Sequence, residues 1–358
     1  MDMTVNRLPS RTWNQLGMNE SRISDIEIER KYPLSLELSG QGLEWNPEEP
    51  EDAARIWAEI ETGMGPDMDR LGSSGEPDLL MSAPGTFHGE PAVLDLALGA
   101  GEKCSNTLHM FAGKGSTMTA AVICRSTDKG EGIFALQTKI YAQKGARVRL
   151  YMVQLLDKDC ISLNDIGGIC GEGAQVEIVR LELGAGKAYA GGLMDLMGDN
   201  SSFQARIGYS GGQGQHLDMN YTARHRGIKT ESLMDASGVL TDDAFKLFRG
   251  TIDFISGSSG SKGEEKEDVL LLGENMVNQT IPLILCGEDD VEGNHGATIG
   301  KLDERMMFYL YSRGISKENA EQMMARARID ALCERIPVRK IREQVYTYLE
   351  GGQGNGEL

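Results

Sequence analysis

Hydrophobic and polar residues alternate with a period of two through the middle of the chain, from about residue 81 to residue 294. The alternation is clear over residues 133–140, 147–152 and 203–209. A period of two places every second side chain on the same face, which is typical of β-strands with one buried face. The central two hundred residues are therefore predicted to consist of short strands.

These predicted strands are separated by a turn motif that recurs at a nearly constant spacing. Its fourth position is Gly115, Gly145, Gly173 and Asn200, at spacings of 30, 28 and 27 residues, and an apolar residue three positions later begins the next strand. Glycine and asparagine at one turn position indicate a positive φ. Repetition of one unit every 20 to 50 residues is typical of a solenoid, whose units bury their core by stacking. The sequence predicts a right-handed parallel β-helix.

Helical periodicity appears on both sides of this region. After Pro50, the residues Ala53, Ile56, Trp57 and Ile60 form one apolar stripe, which is expected to dock on another part of the protein, so that this region is packed rather than free. Beyond residue 300 two further stripes follow, and their residues are Ala320, Met323, Met324, Ala327 and Ala331, then Ile341, Val345, Tyr348 and Leu349. Ser316 is a candidate N-cap. We therefore predict an N-terminal helical region (residues 1–85), a β-helix core (86–294) and a C-terminal helical region (295–358).

Three segments are expected to lie on the surface. Residues 256–263 are rich in glycine and serine and lead into the charged residues 264–268, which predicts one exposed loop. Residues 72–75 predict a shorter loop, and the glycine-rich residues 351–358 a frayed end.

The charge balance narrows the classes of partner. The 358 residues include 36 basic and 54 acidic side chains, for a net charge of -18. Such a surface repels phosphate backbones and anionic lipids, so neither nucleic acid nor membrane is an expected partner. The N-terminus has no apolar signal-like segment, and no run of about 18 apolar residues occurs. A cytoplasmic protein is expected.

The six cysteines do not form a recognisable metal motif. They are scattered, with no C-x-x-C pair and no zinc-finger spacing. Free thiols that act as small buried hydrophobes are the expected state for most of them, and Cys124 and Cys286 follow apolar runs that fit this interpretation.

His295 is the main candidate for chemistry. It lies between Asn294 and Gly296, where the strand region is expected to meet a helix. One interpretation is a histidine that hydrogen-bonds backbone at this junction, and the other is a ligand or contact for iron, which neutral imidazole suits. His216 and His225 are interpreted as strand-surface residues. No phosphate-binding loop and no catalytic triad order is found, so no catalytic residue is predicted.

Several motifs resemble the SufB/SufD family, the scaffold subunits of the SUF iron–sulfur cluster assembly machinery. Residues 230–253 are similar to the family's last β-helix turns, and residues 270–273 to the Leu-Leu block that follows. Residues 295–304 resemble the SufD-type His-Gly-Ala-Thr-x-Gly-x-x-Asp-Glu, and residues 308–314 the helix that closes the β-helix. The opening residues 8–13 are loosely similar to the family's Pro-Thr-Arg-x-x-x-Trp start.

The resemblance implies a function and partners. A SufC-type ABC ATPase is the implied partner, docking on the C-terminal helices, with Lys301, Phe308, Tyr309, Arg313 and Gly314 as the implied contact residues. Pairing with a SufB-like paralogue or with a second copy is also implied. His295 is then a candidate cluster or iron contact at a subunit interface, and Cys286 a second one. A transient iron–sulfur cluster is expected and no tightly bound cofactor.

Two departures favour the SufD-like side. Glu267 lies near the position where SufB-type chains carry a cysteine, and Gly296 stands where they have glutamate. Two alternatives stay open: a cytosolic β-helix interaction protein without cluster contact, and a β-helix enzyme acting on polysaccharide, which is disfavoured because no export signal is found.

Overall fold

The computed structural model describes residues 1–11, 14–34, 36–37, 42–72, 75–87, 89–212, 214–241, 243–301 and 304–353. Parts of four predicted features lie outside these residues: the opening motif at Thr12 and Trp13, the loop at Ser73 and Ser74, the His295 motif at Leu302 and Asp303, and the chain end at residues 354–358.

The centre of the chain is a parallel β-solenoid of about eight turns, which confirms the predicted fold class. Each coil supplies one strand to each of two facing sheets, so even-numbered and odd-numbered strands separate. The strands are β6 Asp78–Ser82, β7 Ala92–Leu98, β8 Lys103–Ala112, β9 Thr117–Ser126, β10 Gly132–Ala142, β11 Arg147–Leu155, β12 Cys160–Cys170, β13 Gln175–Glu182, β14 Lys187–Leu196, β15 Ser202–Gly211, β16 His216–His225, β17 Glu231–Leu240, β18 Phe245–Phe254, β19 Ser261–Leu271, β20 Val277–Cys286 and β21 Val291–Gly300.

The predicted turn motif forms one corner of the solenoid. Gly115, Gly145, Gly173 and Asn200 all have positive φ, between 57° and 69°. The N–H of Gly145 donates to the carbonyl oxygen of Glu172 in the next coil at 2.8 Å, and the other three make the equivalent bond. The apolar side chains that point inward, such as Val148 and Phe203, join one continuous core between the sheets. The repeated turn therefore joins each coil to the next one in the stack, as its spacing predicted.

The N-terminal region combines short strands with short helices. Its elements are β1 Met3–Val5, a 3-10 helix Asn14–Leu16, β2 Ser21–Ile23, β3 Arg30–Lys31, β4 Leu36–Glu37, β5 Leu43–Trp45, α1 Ala53–Glu59 and α2 Asp67–Gly72. Strands β3, β4 and β5 pair with β8, β7 and β6 at the first coils. This pairing covers backbone groups that would otherwise be an exposed edge. The predicted stripe on α1 docks as expected, because Ala53, Trp57 and Ile60 are buried against Phe111.

Three helices follow the solenoid: α3 Glu304–Ser312, α4 Lys317–Cys333 and α5 Arg339–Gln353. Ser316 caps α4, accepting the Asn319 N–H as predicted. Helices α4 and α5 cover the outer face of the odd-numbered strands, with Ile329, Ile341 and Val345 buried there. The stripe predicted for α4 is partly wrong, because Met323, Ala327 and Ala331 are exposed and the buried face instead includes Ile329 and Cys333. A run of alanines does not reveal which face of a helix meets the sheet.

The strands extend beyond the predicted boundaries at residues 86 and 294, since β6 begins at Asp78 and β21 ends at Gly300. The predicted loop at 256–268 is also shorter than expected. Strand β19 begins at Ser261 and contains the whole charged run, with Glu265 and Glu267 buried. Alternation within a strand places every second charge inside the solenoid.

Candidate functional site

The last coil leaves one end of the solenoid open within the described residues. Among the described strands, β20 pairs only with β18 and β21 only with β19, so each is the final strand of its sheet. Strand β21 is exposed from Glu292 to Ile299. The inner side chains of a solenoid are normally covered by the next coil, and no described strand provides that cover here.

His295 lies in the middle of β21, in register with Glu265 of β19. The neighbouring pair Gly263 and Gly293 faces inward, because a Cβ on Gly293 would meet the side chains of Ile284 and Phe254 inside the solenoid. Side chains two residues further along share that face, so His295 lies on the inner side of the open coil. It is exposed, and it has no hydrogen-bond or ion-pair partner among the described residues. The expected strand-to-helix junction instead lies after Gly300, and His295 makes no junction hydrogen bond to any residue that the structure describes.

A buried polar network forms the floor beneath this coil. Lys246 of β18 donates to Glu267 Oε1 at 2.6 Å and to Thr280 Oγ1 at 3.0 Å. Tyr209 donates its hydroxyl to Glu267 at 2.8 Å, and Thr280 donates to the same carboxylate at 2.5 Å. The side chains of Lys246 and Glu267 are fully buried. Tyr209 reaches across β17 because Gly238 has no side chain, and a Cβ there would lie 1.9 Å from the Tyr209 ring.

The electrostatics of the floor follow from burial and from this pairing. Burial lowers the pKa of Lys246, and the negative charge of Glu267 opposes that shift. Burial, followed by the interaction with Glu267, raises the pKa of Tyr209 well above its usual range. Glu265 lies beside the network without joining it, and burial, together with the charge of Glu267, raises its pKa to about 7. The Oε1 atom of Glu265 is buried and has no hydrogen-bond partner.

Cys286 differs from its expected state. It is exposed, whereas the other five cysteines are buried, so its interpretation as a buried thiol was wrong. The open coil explains this exposure, because Cys286 ends β20 and its register partner Phe254 is fully buried one coil earlier. A Cβ on Gly293 would contact Ile284, so these two positions face each other and Cys286 faces the start of β21. His295 is four residues beyond the first residue of β21, which corresponds to about 13 Å at the rise per residue of a β-strand. The chain does not bring these two candidates together.

The interpretation of His225 as a surface residue was also wrong. His225 is fully buried, and its ring nitrogens contact Thr230 Oγ1 at 2.7 Å and Ser232 Oγ at 2.9 Å. Burial lowers its pKa to about 4. His216 is half-buried and stacks on Phe245, with ring centroids 4.3 Å apart. The contacts of His225 and His216 therefore indicate structural roles for both residues.

The residues implied as ATPase contacts lie on and around α3. Phe308 is 73% exposed and Tyr309 55%, which is unusual for aromatic side chains. The Arg313 guanidinium lies 5.1 Å from the centre of the Tyr309 ring. Gly314 ends the helix with φ +81°, and the Ile315 N–H donates back to Leu310. Gly314 therefore has a structural role as the glycine of a Schellman cap.

A groove of about 550 Å³ separates α3 from the last coils of the solenoid. Phe308 and Tyr311 line it from the helix, and Leu271 and Lys301 from the solenoid side. The exposed aromatic face therefore continues into a concave surface.

The donor atoms suit iron only as part of a larger set. A free imidazole and an exposed thiol are both common iron ligands. Within the part of the chain that the structure describes, however, no three His, Cys, Asp or Glu side chains converge as a metal site. One copy of the chain can thus offer a partial ligand set to an iron ion or cluster, as cargo, and further ligands must come from elsewhere.

Sequence reasoning found His295 and missed the residues beneath it. Glu265 and Glu267 were predicted to lie in an exposed charged loop, and no prediction was made for Lys246. The period of two could have shown that these charged residues point inward. Lys246 is two residues before the buried Phe248, and Glu265 and Glu267 are four and two residues before the buried Val269. Charged residues at inward positions of a solenoid mark a polar site.

The fold is a parallel β-solenoid that is flanked by helices and whose last coil is open within the described residues. The family model described as "SUF system FeS cluster assembly, SufBD core domain" matches residues 97–328. The chain belongs to this family. The family resemblance seen in the sequence motifs is confirmed.

Similar proteins carry names from the same system. The chain is 30% identical over 141 residues to the iron-sulfur cluster assembly protein SufD of Bacillus subtilis, covering 39% of this chain and 32% of that protein. It is 26% identical over 206 residues to a SufBD family protein of Pyrococcus horikoshii, covering 58% and 46%. The Bacillus subtilis SufB protein is 24% identical over 200 residues, covering 56% and 43%. The chain thus spans less than half the length of these relatives.

Among the described helices, none is both long enough and apolar enough to cross a membrane.

Proposed function

We propose that this chain is a SufD-like subunit of a SUF complex, where it helps to assemble or transfer iron–sulfur clusters in the cytoplasm. The observation that carries this proposal is His295, an unpartnered and exposed imidazole on the inner face of the open last coil. An iron ion or cluster is the cargo, bound transiently. Glu267 supports the SufD-like assignment, because it is held by Lys246 and leaves no thiol at that position.

The proposed role is that of a scaffold and not of an enzyme. Support comes from the sequence, which has no phosphate-binding loop, so ATP hydrolysis belongs to a SufC-type ATPase partner. A β-helix enzyme acting on polysaccharide would need a cleft with converging acidic groups. At the open end there are instead two buried carboxyl groups with different surroundings: Glu267 is neutralised by Lys246, and burial raises the pKa of Glu265 to about 7.

A second SufB/SufD-type chain is the proposed partner at the open end. The free edges of β20 and β21 offer unpaired backbone groups to further strands. Pairing there would cover His295 and complete its ligand set. A SufB-like paralogue is favoured over a second copy, since this chain supplies few thiols to that surface.

The SufC-type ATPase is proposed to dock on α3 and the adjoining groove. Phe308, Tyr309 and Arg313 form an exposed aromatic and cationic surface next to Lys301. Aromatic and arginine side chains are the ones that most often dominate binding at protein interfaces. Gly314 contributes by ending α3 and not by direct contact.

The cluster proposal is tested with His295→Ala in a complex co-expressed with a SufB-like chain and the ATPase and purified without oxygen. Because His295 is exposed and unpartnered, the free energy of unfolding should stay within about 0.5 kcal/mol of wild type, and the melting temperature should change little. Iron and acid-labile sulfide per complex should fall to background. Cys286→Ser is the matched control and should retain them. Loss of cluster in Cys286→Ser but not in His295→Ala would move the site to the thiol.

Docking on α3 is tested by Phe308→Ala and Tyr309→Ala in pull-downs with the ATPase. Each should weaken binding at least tenfold, as a central aromatic contact does. Met323→Ala is the matched control, because Met323 is 53% exposed on the neighbouring helix α4. Removing everything after Gly300 is a poor test, since it would uncover the apolar face that α4 and α5 bury. Unchanged binding by both aromatic variants would refute this docking surface.

A further inference from the structure

Glu265 is a buried carboxyl group with no assigned role. The residue is 2% exposed, and its Oε1 atom has no hydrogen-bond partner. Leaving a buried acceptor unsatisfied costs about 1 to 3 kcal/mol, so such an atom calls for a specific reason. Glu267, two residues later, shows the contrast, because Lys246, Tyr209 and Thr280 all donate to it.

The position of Glu265 relates it to His295. The two residues are register partners on β19 and β21, and both lie on the inner face of their strands. Neighbouring strands are about 4.8 Å apart, which is within reach of a glutamate and an imidazole side chain. No other described strand covers this face on the far side of β21.

The opposite sheet leaves room for this side chain. Gly250 of β18 faces Glu265, and a Cβ at Gly250 would lie 2.7 Å from the Glu265 Cγ atom and 3.2 Å from Oε1. The glutamate thus occupies space that any larger residue would take. The Glu265 side chain therefore has space beneath His295, but its Oε1 atom has no hydrogen-bond donor among the described residues.

We propose that Glu265 is the positioning residue of His295, and that its carboxylate accepts an imidazole N–H while the other ring nitrogen binds the metal. This inference rests on the proposed function, because it assumes that His295 binds iron. Histidine ligands commonly donate their second N–H to a carboxylate, which fixes the ring orientation and raises ligand basicity. Loss of such a partner typically weakens metal affinity by about 10- to 100-fold.

Glu267 cannot take this role. It is ion-paired with Lys246 at 2.6 Å, and its register partner on β21 is Ala297 and not His295. The unpaired acid and the unpaired histidine are therefore the two groups that the register brings together.

The test uses Co²⁺ as a spectroscopic probe, titrated into the cluster-free complex without oxygen. His295→Ala identifies the absorption bands that depend on His295. Glu265→Met, which is similar in size and cannot accept the N–H, should weaken that binding by about 10- to 100-fold and shift the bands. Glu265→Gln, which keeps an acceptor without the charge, should fall between. Asp165→Asn removes another buried carboxyl, remote on β12, and should change neither.

A second readout is independent of metal. In the full chain labelled with ¹⁵N-histidine, Glu265→Met and Glu265→Gln should shift the ring nitrogen signals of His295, and Asp165→Asn should not. Unchanged Co²⁺ affinity and unchanged ring signals in both Glu265 variants would overturn the inference while leaving the proposed function intact. If His295→Ala itself alters neither Co²⁺ binding nor cluster content, the proposed function fails, and the inference fails with it.

Discussion

Replacing Lys246 by methionine tests whether the buried ion pair holds the final coils together. Lys246 and Glu267 are fully buried and 2.6 Å apart, and Tyr209 and Thr280 complete the hydrogen bonds of the carboxylate. Methionine fills a similar volume but leaves the Glu267 charge without compensation. Removing one partner of a buried pair costs about 3 to 5 kcal/mol. At about 2 °C per kcal/mol for a large domain, the melting temperature should fall by roughly 6 to 10 °C.

A double variant makes this test specific. Adding Glu267→Gln removes the charge while keeping an acceptor for Tyr209, and should recover at least half of the loss. Thermal unfolding followed by circular dichroism measures both effects.

Hydrogen exchange then locates the damage. Because each coil of a solenoid contacts only its neighbours, increased exchange should be confined to β18, β19 and β20. A loss below about 1 kcal/mol, or a loss spread evenly over all coils, would contradict this reasoning.

Three further predictions concern other buried residues. Burial raises the pKa of Asp165 to about 7. The contribution of Asp165 to stability is therefore present below pH 4 and lost as the pH rises through 7. Asp165→Asn should stabilise the chain relative to wild type at pH 8, and less so at pH 5. Burial lowers the pKa of His225 to about 4, so acid favours the unfolded state, and His225→Gln should flatten the fall in melting temperature between pH 6.5 and 4. Gly238→Ala should lower the free energy of unfolding by about 1 to 3 kcal/mol, because the new Cβ would meet the Tyr209 ring. Adding Tyr209→Leu to the same chain should recover part of this loss. Thermal unfolding measures both changes.

Short-range rules account for the features that were predicted well. The turn glycines and Asn200 need a positive φ, and this requirement belongs to the residue itself, so it is visible in the sequence wherever the repeat occurs. The same holds for Ser316, whose hydroxyl caps a helix that begins at the next residue. The family motifs around His295 likewise lie within one contiguous stretch.

Long-range pairing accounts for the features that were missed. The charged run at residues 264–268 resembles a loop by composition, and only its pairing with β17 and β21 shows that it is a strand. Cys286 follows an apolar run typical of a buried strand, and its exposure depends on the absence of a further coil beyond it among the described residues.

The sequence by itself determined the period of two, the corner turns and therefore a solenoid, because these depend on backbone conformation and side-chain alternation within a few residues. Only the tertiary structure decided that Lys246 neutralises Glu267, that Tyr209 crosses Gly238 to join them, and that His295 lies over an unpartnered Glu265. Those contacts join residues 21 to 58 positions apart, and their geometry depends on the register between coils. Small changes in coil length set that register, and no local pattern of residues encodes it.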